Sequence, residues 1–148
     1  MVTPTAPETM NPRTQPTVLC IDDDPLVLQF YRQFLERGGY RVLTATDGLV
    51  GIEVARQDHP DLVLLDVMLR GLSGYDICRK FRADPTLRHI PIILLNVWDD
   101  PNVGTTGRAA GADLTLSKPA DAQTLLDAME RVWRKRGWRD PRQPEASR

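Results

Sequence analysis

At 148 residues and a formal net charge of −1, the chain suits one domain with tails and has no global pull towards nucleic acid or an anionic membrane. No apolar run approaches the roughly 18 residues of a membrane span, and residues 1–16 lack the hydrophobic stretch of a signal peptide. Two cysteines, Cys20 and Cys78, fall in a predicted strand and a predicted helix; reduced core thiols are expected, which suits the cytoplasm.

Residues 1–16 hold Pro4, Pro7, Pro12 and Pro16 among small polar residues and read as a disordered lead. A first strand follows at Val18–Ile21. Asp24 then stands as a helix N-cap with Pro25 at the first helical position. Leu26, Val27, Phe30, Tyr31, Phe34 and Leu35 recur at helical spacing until Gly38-Gly39 stops the run. Tyr40 to Ala45 alternates as a second strand, and Asp47-Gly48 opens a second helix that ends before His59-Pro60. Leu62-Val63-Leu64-Leu65 is a continuous apolar run between turn signals, the mark of a strand buried on both faces, and it ends on Asp66.

Ser73 is placed to cap a third helix with Tyr75, Ile77, Cys78 and Phe81 facing inward, closed by Asp84-Pro85. His89 to Leu95 reads as a fourth strand. Between Asn96 and Ala112 a helix is due, yet Gly104 and Gly107 fall inside it at about 1 kcal/mol each relative to Ala, so it should be short or frayed. A fifth strand, Asp113–Leu116, precedes Ser117-Lys118-Pro119. Asp121 to Arg136 is a strongly striped last helix, with Leu125, Leu126, Met129, Val132 and Trp133 on one face. Residues 138–148 read as a tail in which Trp138 covers a partner or the end of the last helix. Five strands alternating with five helices imply an α/β, doubly wound parallel sheet with helices on both faces. In such sheets the chemistry sits at the carboxyl ends of the strands, where Asp22-Asp23, Asp66 and Lys118 fall.

Several motifs, in this order and spacing, carry a family resemblance: Val18-Leu19-Cys20-Ile21-Asp22-Asp23-Asp24; Leu64-Leu65-Asp66-Val67-Met68-Leu69; Gly71-Leu72-Ser73-Gly74; Pro91-Ile92-Ile93-Leu94-Leu95; Gly111-Ala112-Asp113; and Ser117-Lys118-Pro119. Over residues 17–137 the chain resembles the receiver domain of two-component response regulators. The resemblance implies a flavodoxin-like sheet in the order 2-1-3-4-5, a phosphoacceptor at Asp66, a cis peptide before Pro119, and a histidine kinase or histidine phosphotransfer protein as phosphodonor. The residue chemistry agrees. Clustered carboxylates repel, which a hard divalent cation relieves, and Mg²⁺ needs only a few protein oxygens. Its expected ligands are Asp23, Asp66 and the Met68 backbone carbonyl, with Asp22 acting through water. Asp66 would be the nucleophile and Lys118 a second positive charge for the phosphoryl oxygens.

Four positions depart from the family pattern. Asn96 stands where a Thr or Ser is usual and Val97 where a small Ala is, Thr115 replaces a movable aromatic, and Arg70 replaces a Pro. The phosphorylation residues are therefore present while the relay that reports them is rewritten. A stand-alone receiver is the leading expectation, since residues 138–148 are too few for an output domain. A pseudo-receiver that docks proteins without productive phosphorylation is the alternative. A phosphatase using Asp66 ranks last, because Met68 stands where a leaving-group acid is needed, so the chain is not expected to be an enzyme. His59 and His89 show no metal-ligand spacing and read as loop residues. The basic residues Arg131, Arg134, Lys135, Arg136 and Arg139 are read as solvating a helix end rather than binding nucleic acid.

Overall fold

The computed structural model of the chain describes residues 15–96, 102–118 and 121–142. Most of the Pro/Thr-rich lead, Val97, the peptide before Pro119 and the last part of the tail lie outside the described residues. Five strands, β1 (Thr17–Ile21), β2 (Arg41–Ala45), β3 (Leu62–Asp66), β4 (Ile92–Asn96) and β5 (Leu114–Ser117), alternate with five helices. The helices are α1 (Pro25–Arg37), α2 (Gly48–Asp58), α3 (Gly74–Ala83), α4 (Val103–Ala110) and α5 (Ala122–Lys135). All strand pairs are parallel, in the order β2-β1-β3-β4-β5.

The sheet is apolar on both faces because helices cover both. Leu28, Tyr31 and Leu35 of α1 join Leu125, Met129, Val132 and Trp133 of α5 over Val18, Cys20, Leu62, Leu64, Ile93 and Leu95. Ile52 and Ala55 of α2, Ile77, Cys78 and Phe81 of α3, and Ala110 of α4 cover the alternate residues Leu19, Ile21, Val63, Leu65, Ile92 and Leu94. This alternation is the period-two geometry of a strand. Cys20 and Cys78 are buried, free and on opposite faces, as inert core thiols should be.

Local signals set the helix starts. Asp24, Asp47 and Asp121 each accept a backbone N–H of the following first turn, and Ser73 forms a reciprocal capping box with Asp76. Three expectations need correction. The buried stripe of α1 is Leu28, Tyr31 and Leu35, while Leu26 is 74% exposed and Phe30 is also exposed. Six apolar residues exceed the one stripe that a helix lying on a sheet can bury. Strand β4 starts at Ile92, not His89. Residues 85–89 form a turn, in which Ile90 N–H donates to the Leu87 carbonyl and Arg82 takes the carbonyls of Arg88 and Ile90. Asp113 also lies outside β5. Its carboxylate accepts the Ile92 N–H at 2.8 Å and pairs with both Arg82 and Arg136, tying α3 and α5 to the amino-terminal edge of the sheet.

Candidate functional site

At the opposite edge, the last ladder bonds sit directly beneath the chemistry. The Asp22 N–H donates to Ala45 O at 3.1 Å, Val67 N–H to Leu95 O at 2.9 Å, and Lys118 N–H to Asn96 O at 2.7 Å. Asp22, the residue following Asp66, and Lys118 are thus each pinned by the sheet before their side chains diverge. Gly74 closes the floor. A Cβ there would collide with the Asp66 carbonyl oxygen and stand 2.7 Å from Val67 Cα, so only glycine lets α3 start this near the strand end.

Oxygens of Asp22, Asp23 and Asp66 converge within 4.8 Å of one another. Asp22 and Asp66 are buried, at 2% and 4% exposure, and Asp23 is partly open to solvent. Lys118 Nζ donates to Asp22 Oδ2 at 2.7 Å and to Asp66 Oδ1 at 3.4 Å. The Asp24 N–H holds the other Asp22 oxygen at 2.9 Å, so Asp24 both caps α1 through its side chain and orients Asp22 through its backbone. Burial, then the Asp22 carboxylate, push the Asp66 carboxyl up from 3.8 to about 6 against the pull of Lys118 and a Met68 N–H. For Lys118 burial opposes the charged form, but the hydrogen bond to Asp22 and the Asp66 and Asp22 charges outweigh it, and its pKa is raised.

Three carboxylates against one ammonium leave the cluster short of positive charge. Closely spaced hard oxygens, with one carboxyl pushed up by burial and by an adjacent carboxylate, fit a small divalent cation that keeps most of its waters. Every sequence-predicted site residue reaches this edge. Asn96 is buried at the end of β4, one residue beyond the partner of Asp66, and its carbonyl holds the Lys118 backbone. Met68 is half exposed in the following loop. His59, by contrast, ends α2 in the left-handed region at φ 49° and has no place in the cluster. Two roles were not legible in the sequence. In the sequence Arg70 is only a departure from the family pattern, yet its Nε stands 3.8 Å from Asp23 Oδ2. In the sequence Thr115 is only a lost aromatic, yet it lies under α4, where a Cβ on Gly107 would come within 2.5 Å of Thr115 Oγ1.

A five-stranded parallel sheet in this order, with three carboxylates and a lysine gathered at its carboxyl edge, is a doubly wound α/β domain of the flavodoxin-like kind. The chain belongs to the response regulator receiver domain family, which matches residues 18–130. It is 39% identical over 123 residues to the transcriptional regulatory protein CseB of Streptomyces coelicolor, covering 83% of this chain and 51% of that protein's length. It is 35% identical over 115 residues to protein PilH of Pseudomonas aeruginosa, covering 78% of this chain and 95% of PilH. The solved structure of Vibrio cholerae chemotaxis protein CheY4 superposes with a TM-score of 0.76 at 30% identity, covering 80% of this chain and 98% of CheY4. The domain is therefore a receiver of the two-component kind. Among the described residues no helix is long and apolar enough to cross a membrane.

Proposed function

We propose that the protein accepts a phosphoryl group on Asp66 from a histidine kinase or histidine phosphotransfer protein, with Mg²⁺ as cofactor, and acts as a stoichiometric signal carrier rather than an enzyme. The observation that carries this reading is Asp66 itself, buried at the end of β3 between further carboxylates and the Lys118 ammonium. Asp23 and Asp66, with the Met68 carbonyl, would hold the cation, which offsets charge on the incoming phosphoryl group. An Asp66 carboxylate oxygen attacks phosphorus, the phosphorus–nitrogen bond to the donor imidazole breaks, and its electron pair leaves on nitrogen. Lys118, anchored to Asp22, keeps N–H donors for the phosphoryl oxygens. Asn96 offers a side-chain amide at the same edge.

Incubation of the protein with Mg²⁺ and acetyl phosphate, followed by intact-mass measurement, tests the reading. One phosphate adduct is expected, absent in Asp66→Asn and without the metal. An unmodified wild-type mass under all conditions would overturn it.

A further inference from the structure

Among the three clustered acids, Asp23 is held differently. Asp22 has both oxygens engaged, by Lys118 Nζ and the Asp24 N–H. Asp66 takes Lys118 Nζ and a Met68 N–H. Asp23 meets the Arg70 guanidinium, 3.8 Å away. Arg70 lies in the β3–α3 loop with its side chain 92% exposed, and the next residue, Gly71, has φ +80° with nothing within 4 Å of a Cβ built on it. The arginine is thus tethered by charge rather than by packing.

We infer that Arg70 is an affinity-setting residue of this site, a counter-ion built into the chain that competes with the divalent cation for Asp23. The inference rests on the proposed metal-binding reading of the acidic cluster. With three carboxylates facing Lys118 alone, any second positive charge at Asp23 is favoured, and Arg70 is in place before a cation arrives. A divalent ion on Asp23 repels the guanidinium, so the ion must displace it from that carboxylate. The competition raises the cation concentration needed to fill the site. Val67 and Leu69 anchor the loop on the core while Arg70 and Gly71 stand open to solvent, so Arg70 can withdraw without disturbing Asp66.

Calorimetric titration of the full chain with Mn²⁺ alone, at low ionic strength, tests this directly. Arg70→Ala is expected to bind about threefold more tightly than wild type, the scale of an exposed ion pair. The gain should shrink as salt screens the competing charge. Arg70→Lys should remain near wild type. Arg79→Ala, which removes the same charge from an α3 residue paired with Asp76, should change the affinity much less. Equal affinity for wild type and Arg70→Ala overturns the inference and leaves the metal site standing. Equal tightening in Arg79→Ala overturns it too, because the effect would then be net charge alone. Absence of Mn²⁺ binding in wild type and Arg70→Ala alike overturns the metal-site reading and this inference with it.

Discussion

Asp66 is charged at neutral pH at a cost to the fold. Its folded pKa of about 6 lies above the ordinary 3.8, so between those values the folded state holds a proton that the unfolded state has released. Stability therefore falls as pH rises through that window, and the whole penalty is present at pH 7.5. Asp66→Asn removes the charge while keeping the shape. Without added metal, urea unfolding at pH 7.5 should show Asp66→Asn more stable by about 3 kcal/mol, at roughly 1.4 kcal/mol per pKa unit. The advantage should fade as pH falls from about 6 to below 3.8, where both wild-type states are protonated. A constant advantage across that range would mean that repacking, not charge, is responsible. Lys118 differs in kind, since its partners outweigh its burial, and its ammonium is held in place by Asp22 rather than merely tolerated.

The helix α4 shows how an element can be misjudged from composition. Gly104 and Gly107 lower its propensity, Asn102 makes no side-chain cap bond, and the helix is eight residues long, as short as the sequence leads one to expect. Gly107, however, is a contact as well as a weakness. Its missing Cβ lets the backbone of α4 approach Thr115 Oγ1 and Leu94 Cδ1, which would stand 2.5 and 3.2 Å from that carbon. Gly107→Ala adds helix propensity but overpacks this seam, and its net effect should be a loss of about 1 kcal/mol. In a Thr115→Ala background the hydroxyl is gone, and the same change should become neutral or stabilising. Denaturant midpoints for the four proteins of this cycle measure the coupling. Additivity would show that α4 yields without strain. The stripe of α1 carries the same lesson, because which of six apolar residues turn inward depends on where the sheet lies.

Across the whole molecule, the two edges of the sheet do different work. The carboxyl edge gathers charge, and the amino edge is clamped. Beyond α5, Trp138 stacks on Trp133 with ring centroids 4.3 Å apart, and Trp133 stacks on Tyr40 at 5.9 Å. The Trp133 indole N–H donates to the Asp61 carbonyl at the start of β3. Arg142 closes the stack, 4.1 Å over the Tyr40 ring, and donates to the Gly38 carbonyl. Residues 138–142, which read as tail, therefore pack on the domain. Trp138→Ala should cost about 1–3 kcal/mol, from lost aromatic area and stacking. It should lower the melting temperature and alter Trp133 fluorescence. Divalent-cation affinity should not change, because the clamp lies at the edge away from Asp66. An unchanged melt would show that the segment rests there without holding anything.

What the sequence determined by itself is local. Asp24, Asp47, Ser73 and Asp121 cap helices through bonds to N–H groups two or three residues on, so the spelling of a few neighbours suffices. Buried strands announce themselves as continuous apolar runs, and strand ends as the acids and lysine that follow them. The positions of Asp22, Asp23, Asp66, Asn96 and Lys118 on one edge follow from that pattern together with parallel topology. Only the tertiary structure decided the pairings. Lys118 reaches across 96 residues to bond Asp22 more closely than it meets Asp66. Arg70 finds Asp23, Trp138 finds Trp133, and the Gly107 backbone finds Thr115. Each of these depends on where distant segments come to rest on the sheet. Such placements arise from packing many side chains at once, and no single stretch of sequence contains them.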